Sequence, residues 1–303
     1  MSDKSAAEYQ RLWNKYYRDA AIASREITRI KEEEWYDFFW KLVCENHLTK
    51  KQFKQVAIVA NVIVSYCVHS RILYTSPIRD IIANGDFPYA RSASYNQIKA
   101  RPLTEKQIEK IREWCGRQIE NPRTHKVYPY AILINMRLGL RIGELRGLTW
   151  DDVDLKEGNI HVSKQVVNTY KMHADGDCFE FEYAGHSEID HLKAYENERD
   201  IPIGPDVIGL LQNLKDLKLS ETEVFPMRYH TYNDKIKDAA VYAGVADLHQ
   251  IRTHSLRTTA ASNVYAKCHD IKTVQAFLGH TTPEMTAKYI KGQDSYNSLK
   301  GLV

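Results

Sequence analysis

The sequence predicts a mainly α-helical chain with one small antiparallel β-sheet, arranged as two pieces. Residues 1–88 carry apolar side chains at three- and four-residue spacing, and the three helices predicted there contain no glycine or proline. A polar stretch from Asn84 to about Pro102 then breaks this spacing. Helical spacing resumes beyond it and is interrupted by short segments in which apolar and polar residues alternate. These observations place the strands in the second piece only.

The front piece is predicted to contain three helices, over Glu8–Arg18, Arg25–Cys44 and Thr49–His69. Thr49 is a suitable N-cap for the third, because its hydroxyl can accept a hydrogen bond from a free backbone N–H of the first turn. The segments Asn84–Pro88 and Arg91–Tyr95 have no apolar face. We therefore expect an exposed linker there.

The second piece opens with a helix from Thr104, as N-cap, to about Ile119. Val127–Leu138 is densely apolar, which predicts a buried helix that ends at Gly139. A short helix is expected around Glu144, and helical spacing returns from Pro205. Three alternating segments predict one three-stranded antiparallel sheet, formed by Asn159–Val166, Cys178–Tyr183 and Arg199–Ile203.

Composition excludes several classes of protein. The 303 residues have a formal charge of only +3, unlike a histone-like polycation. The excess lies within residues 1–95, where Lys50, Lys51 and Lys54 cluster near a helix start. Those lysines form either a solvated helix face or a set of DNA phosphate contacts. The longest near-apolar run, Val56–Val68, is too short to span a bilayer, so no membrane partner is expected.

The cysteines and the polar start of the chain favour a cytoplasmic protein. The five cysteines are scattered without a C-x-x-C pair, so we expect reduced thiols, no zinc site and no other metal or cofactor. No apolar segment of a secretory signal is present at the start.

Four short segments each place a cationic residue or a histidine next to the predicted end of a helix or strand. They are Gly139–Leu145 (GLRIGEL), Leu192–Arg199 (LKAYENER), Thr253–Thr258 (THSLRT) and Leu278–His280 (LGH), the last followed nine residues later by Tyr289. Each alone is compatible with ordinary surface pairing or capping. In this order, over about Leu103 to Lys291, they resemble the catalytic domain of the tyrosine recombinases, also called the phage-integrase family.

The resemblance implies a layout and an activity. Residues 1–90 would form a helical core-binding domain that contacts DNA, 91–102 a linker, 103–291 a mixed α/β catalytic domain and 292–303 a tail. The tail either frays or docks into a neighbouring subunit. The resemblance also implies an activity, the site-specific recombination or integration of double-stranded DNA, often for a mobile element. A tetramer would act on two DNA sites. The reaction would proceed through a 3′-phosphotyrosyl intermediate and a four-way DNA junction.

The resemblance assigns Arg141 and Arg257 to the scissile phosphate, and His280 to donation toward a non-bridging oxygen. Guanidinium groups suit this role because their planar fork of donors matches a phosphate and keeps its charge at all relevant pH values. Donors placed where charge develops typically contribute about 3–4 kcal/mol each.

The remaining assignments concern proton transfer. Tyr289 is the expected nucleophile, and His254 is placed to accept its phenolic proton. Lys193 is the expected general acid that protonates the leaving 5′ oxygen. Because the segment around Lys193 is longer and more acidic than a minimal hairpin, Lys171 is the alternative.

Two other functions remain compatible with the sequence. A type IB topoisomerase-like enzyme would use the same cleavage chemistry to relax DNA as a monomer. A non-catalytic DNA-binding regulator could retain the same scaffold. All six expected catalytic residue types are present, and this favours an enzyme over a regulator.

Overall fold

A computed structural model describes residues 3–90, 102–175, 178–189, 198–248 and 251–290, with the backbone alone at 174–175, 178–179, 187–189 and 288–290. These residues are mainly helical with two small β-sheets, which confirms the predicted fold class. The chain divides into two compact units, Met1–Gln97 with Asn168–Gly185, and Ile98–Val167 with His186–Val303. Residues 91–101 of the predicted linker, and the predicted tail, lie outside the described residues.

The front unit contains the three predicted helices and one more. Their bounds are α1 (Asp3–Tyr16), α2 (Glu32–Glu45), α3 (Lys50–His69) and α4 (Arg79–Asn84). Thr49 caps α3 as predicted, because its Oγ1 accepts a hydrogen bond from the Gln52 backbone N–H. The second helix was predicted to begin at Arg25, but α2 begins at Glu32 and short 3₁₀ turns precede it. Three glutamates in the first turn of α2 favour this start, since they face the positive end of the helix dipole.

Phe87 corrects the prediction that the exposed linker starts at Asn84. Its side chain is buried, and its ring centroid lies 4.9 Å from that of Phe53 and 5.2 Å from that of Tyr36. The chain therefore remains packed in the front core to at least Phe87. The sequence pattern did not indicate this burial, because a single aromatic residue within Asn84–Pro88 forms no apolar periodicity.

The rear unit contains eight helices among its described residues. They are α5 (Glu105–Glu120), α6 (Val127–Leu138), α7 (Ile142–Gly147), α8 (Pro205–Asp216), α9 (Tyr229–Tyr242), α10 (Thr253–Cys268), α11 (Ile271–Leu278) and α12 (Pro283–Ile290). Thr104 caps α5, and α6 is the buried central helix, as predicted. It packs against α5, α8 and α10. Within the described part of the chain, no helix has both the length and the apolar character that a membrane crossing requires.

The strands differ from the prediction in their pairing. One sheet contains β1 (Val153–Asp154), β2 (Asn159–Val162) and β5 (Arg199–Pro202), with both of its strand pairs antiparallel. The other contains β3 (Gln165–Asp175) and β4 (Cys178–Ile189). The assignment of Cys178–Tyr183 to the three-stranded sheet was therefore wrong. The third strand of that sheet is β1, whose two residues are too few to show an alternating pattern.

Candidate functional site

The junction between α6 and α7 fixes the position of Arg141. Gly139 ends α6 in the left-handed region, with φ 61°. Asn135, fully buried within α6, accepts a hydrogen bond from the Leu140 backbone N–H at 2.8 Å. Arg141 follows with an extended backbone and forms the N-cap of α7. A buried side chain of α6 therefore fixes the turn that follows this helix, and Arg141 extends from that fixed turn.

A buried carboxylate, Glu144 on α7, lies at the centre of the site. Its Oε1 accepts a hydrogen bond from Arg141 Nη1 at 2.6 Å, and its Oε2 accepts one from the Arg141 backbone N–H at 2.9 Å. Arg199 Nη2 and Arg257 Nη1 lie 2.9 Å and 3.8 Å from Oε2. Burial raises the pKa of Glu144, but Arg199, and then the charges of Arg257 and Arg141, outweigh it and hold the pKa at about 2. Glu144 is therefore ionised at neutral pH.

The same three arginines also contact the carboxyl end of α11. Carbonyl groups at this end lack partners within the helix and carry the negative end of its dipole, so they are good acceptors. Successive carbonyls receive one arginine each: Arg199 Nε donates to Phe277 O at 2.9 Å, Arg257 Nη2 to Leu278 O at 2.6 Å, and Arg141 Nη2 to Gly279 O at 3.3 Å. We call Arg141, Arg199, Arg257 and Glu144 the arginine cluster. It joins α7, β5 and α10 to the end of α11.

The three guanidinium groups differ in their access to solvent. The Arg141 side chain is 35% exposed, whereas those of Arg199 and Arg257 are 7% and 2% exposed. Arg257 Nη1 also donates to Gly139 O at 2.7 Å. Of the three guanidinium groups, that of Arg141 is therefore the most accessible from solvent.

His280 is buried beside Arg257. Arg257 Nη2 lies 3.1 Å from His280 Nε2, and His280 Nδ1 lies 3.0 Å from Thr286 Oγ1. Because arginine is a donor only, Nε2 is the acceptor and the ring proton sits on Nδ1. Burial, and then the charges of Arg257 and Arg141, lower the pKa of His280 to about 3, so the ring is neutral. The expected donation to a phosphate oxygen requires a proton on Nε2, which here accepts from Arg257.

His254 lies in the first turn of α10, one turn before Arg257. Its side chain retains exposed surface, while Leu256 packs into the core as predicted. Desolvation, and then the charges of Arg257 and Arg141, lower the pKa of His254. A neutral imidazole has an acceptor nitrogen, so His254 has the protonation state that a general base needs at neutral pH.

The other expected catalytic residues are described in part. Tyr289 belongs to α12, of which the backbone is described at this position. Lys193 lies outside the described residues. Lys171, its alternative, has an exposed side chain on β3 and belongs to the front unit.

The three lysines expected to contact DNA all lie at the start of α3. Lys50, Lys51 and Lys54 are exposed. The ammonium of Lys50 lies 6.0 Å from the centroid of the Tyr89 ring. These lysines belong to the front unit, and the residues of the arginine cluster belong to the rear unit.

Sequence reasoning gave no role to Arg199, Thr286 and Asn135. A signal was present for two of them. Arg199 and Ile201 share the inward face of β5, where a charged residue needs a buried partner. Asn135 is a polar residue among the densely apolar side chains of α6, and unlike Arg137 it is buried. Thr286 is fully buried, but one threonine in a short helix carries no such signal.

Comparisons with known proteins show which family and which relatives this chain is similar to. The model of the phage integrase family matches residues 101–295. Tyrosine recombinase XerC of Thermodesulfovibrio yellowstonii is 31% identical over 157 residues, which is 50% of this chain and 45% of the relative. The ICEBs1 integrase of Bacillus subtilis is 23% identical over 296 residues, or 90% of this chain and 69% of the relative. The chain covers 28–45% of the length of three such relatives.

Solved structures show the same fold. The Tn1549 transposon integrase in complex with circular intermediate DNA has a TM-score of 0.72 at 19% identity, covering 100% of this chain and 93% of the other. A lambda integrase tetramer bound to a Holliday junction has a TM-score of 0.62 at 16% identity, covering 97% of this chain and 74% of the other.

Proposed function

Since the chain belongs to the phage integrase family, we propose that it is a tyrosine-type site-specific recombinase, an enzyme that cleaves and rejoins double-stranded DNA through a 3′-phosphotyrosyl intermediate. One observation carries most of this proposal. Arg141 and Arg257 meet beside a neutral His280 at the end of α11, and α12, which follows directly, carries Tyr289.

Cleavage under this proposal is an in-line displacement at phosphorus. The Tyr289 hydroxyl forms the new O–P bond and passes its proton to His254, whose lowered pKa keeps it neutral and able to accept. The bond from phosphorus to the 5′ oxygen breaks, and Lys193 supplies the proton to that oxygen. Rejoining is the reverse reaction with the 5′ hydroxyl of another strand. The phosphotyrosyl bond conserves the energy of the broken bond, so no ATP is required.

The arginines supply the electrostatic part of catalysis. Negative charge grows on the non-bridging oxygens in the transition state, and two guanidinium groups at fixed positions match that charge. Glu144 keeps Arg141 oriented in the absence of DNA through a contact at 2.6 Å. Removing one such donor commonly costs about 10²–10³ in rate.

Assembly and DNA contact extend the proposal beyond the site. The lambda integrase structure is a tetramer bound to a Holliday junction, which supports a homotetramer of this chain on two DNA sites. Within the layout of residues 1–90, 91–102, 103–291 and 292–303, the exposed lysines at the start of α3 contact phosphates. Such contacts make binding fall steeply as salt rises.

Trapping of the covalent complex tests this function. The full chain is incubated with a pool of nicked duplexes of random sequence, and adducts that survive denaturant are isolated and sequenced. Wild type and Tyr296→Phe should form adducts, whereas Tyr289→Phe should form none. A two-site recombination assay and a supercoil relaxation assay then use the recovered sequence. DNA binding without any adduct, or relaxation without recombination, would overturn the proposal.

A further inference from the structure

We propose that Arg199 is a positioning residue for strand cleavage: it holds Glu144 and the end of α11 in place, so that Arg141 and Arg257 are free to turn to the scissile phosphate. This role rests on the proposed function, because it concerns the same site. Arg199 is a buried arginine that takes no part in the cleavage steps described above, and this role accounts for its presence in the site.

Among the residues that the structure describes, Arg199 contacts Glu144 and the end of α11. Its Nε donates to Phe277 O at 2.9 Å, its Nη2 lies 2.9 Å from Glu144 Oε2 and its Nη1 lies 3.5 Å from Glu144 Oε1. The side chain is 7% exposed. Its backbone is fixed in β5 opposite Val162 of β2. Arg199 therefore bridges the carboxylate and α11 from a third element that carries neither phosphate-binding arginine.

Competition for the two phosphate-binding arginines explains why a third is needed. In the DNA-free structure Glu144 is paired with Arg141 and lies near Arg257. A buried carboxylate without a partner is unfavourable, so these arginines would remain on Glu144 if no other cation faced it. With Arg199 in place, the negative charge stays matched while Arg141 exchanges a protein acceptor for a phosphate oxygen.

The alternative is that Arg199 itself binds phosphate. Exposure does not separate the two roles, because Arg257 is assigned to the phosphate although its side chain is 2% exposed, less than the 7% of Arg199. The two roles differ in a measurable way. Each phosphate contact contributes about one unit to the slope of log affinity against log salt concentration, whereas a positioning residue contributes nothing to this slope.

The test compares Arg199→Met, Arg199→Lys and the double variant Arg199→Met/Glu144→Gln. Removing the charge of Glu144 together with its partner should release Arg141 and Arg257 again. We expect Arg199→Met to lower the rate of adduct formation at saturating DNA by tenfold or more, and the double variant to recover most of that loss. Arg199→Lys keeps the positive charge but lacks the planar set of donors of a guanidinium group. Its rate of adduct formation should lie between those of wild type and Arg199→Met.

Two further readouts separate this role from a merely structural one. Arg199 is the main group that lowers the pKa of Glu144, so this pKa should be higher in Arg199→Met than in wild type. Acid therefore neutralises Glu144 in the variant first, with the same effect as Glu144→Gln. The rate of adduct formation by Arg199→Met, relative to wild type, should rise as the pH falls. The salt slope of binding to a random duplex should be unchanged in Arg199→Met. A matched control is Arg137→Met/Asp206→Asn, which removes a surface ion pair of 3.1 Å elsewhere in the rear unit and should leave all three readouts unchanged.

The outcomes that overturn the proposal are distinct. A salt slope reduced by about one unit, with no recovery in the double variant, would make Arg199 a phosphate contact. Loss that is equal at every pH and is not recovered would make it a structural residue only. Absence of any adduct from wild type would overturn the proposed function as well. In that case thermal unfolding still reports on the Arg199–Glu144 pair, since Arg199→Met should lower Tm and the double variant should restore it.

Discussion

Thr286 and His280 are joined by a buried hydrogen bond, with Thr286 Oγ1 3.0 Å from His280 Nδ1. Thr286 is fully buried, and His280 is 7% exposed. The other ring nitrogen of His280 accepts from Arg257. This bond therefore links the arginine cluster to α12, the helix that carries Tyr289, and it fixes the proton of His280 on Nδ1.

Substitution of Thr286 should disturb the ring that it holds. Thr286→Val removes the hydroxyl that accepts from the buried Nδ1–H of His280, which should lower the free energy of unfolding by about 1–3 kcal/mol. The ring nitrogen shifts of His280, read by NMR, should show a mixture of tautomers, and adduct formation should slow. Thr286→Ser retains the hydroxyl and should preserve the tautomer. An unchanged single tautomer in Thr286→Val would contradict the role of this bond.

Acid should destabilise the rear unit in two steps. The pKa of His280 is lowered from 6.5 to about 3, and that of Glu144 from 4.5 to about 2. The unfolded chain therefore binds protons more readily than the folded chain. The stability that His280 contributes is complete above pH 6.5 and declines as pH falls from there toward 3, while the Glu144 contribution declines from 4.5 toward 2.

Urea unfolding at a series of pH values measures this effect. Each group accounts for at most about 1.4 kcal/mol per pH unit within its range. Between about pH 7 and pH 5 the decline should be smaller in His280→Asn than in wild type, because the His280 contribution is absent. The same slope in both proteins would show that other groups dominate the acid response.

Gly147 allows a close approach that a larger residue would block. A Cβ at this position would lie 3.0 Å from Gln165 Cα and 3.2 Å from the Gln165 carbonyl carbon. These are backbone atoms of β3, so Gly147→Ala should destabilise by about 1–3 kcal/mol. Gly116 on α5 is the matched control, because its Cβ would meet nothing within 4 Å. Gly116→Ala should stabilise by about 0.5–1 kcal/mol. Equal effects in urea unfolding would refute this account of Gly147.

The lysines of α3 should carry part of the salt dependence of DNA binding. Exposed Lys50, Lys51 and Lys54 lie in the first turn and a half of that helix. If each contacts a phosphate, the triple substitution to glutamine should reduce the salt slope of log affinity by about two to three units. Fluorescence anisotropy with a random duplex at several salt concentrations measures it.

A control of equal charge tests whether position matters. Arg11, Arg29 and Lys41 are front-unit cations that already pair with Glu8, Glu26 and Glu45. Their triple substitution to glutamine removes the same formal charge but no proposed phosphate contact. If both triple variants lower the slope equally, net charge and not the α3 lysines determines binding.

The sequence predicted local features well wherever one residue determined them. Thr49, Thr104 and Gly139 cap or end helices at the predicted residues, because capping depends on neighbours within one turn. The pairing of Arg141 with Glu144 was likewise within reach of helical spacing.

Features that depend on contacts distant in sequence were missed. Phe87 was placed in an exposed segment, because only the folded front core reveals the rings around it. The approach of Arg199 to Glu144 crosses 55 positions of sequence, and no local pattern encodes it. The pairing of β4 with β3 is local in sequence and was missed for another reason, because Cys178–Tyr183 was assigned to the three-stranded sheet.

Identification of the residue that becomes attached to DNA decides whether Tyr289 is the nucleophile. Trypsin digestion of a purified adduct, followed by nuclease trimming and mass spectrometry, separates the peptide Tyr289–Lys291 from the peptide Gly292–Lys300, which contains Tyr296. We expect a nucleotide remnant on Tyr289–Lys291. A remnant on Gly292–Lys300, or on neither peptide, would contradict it.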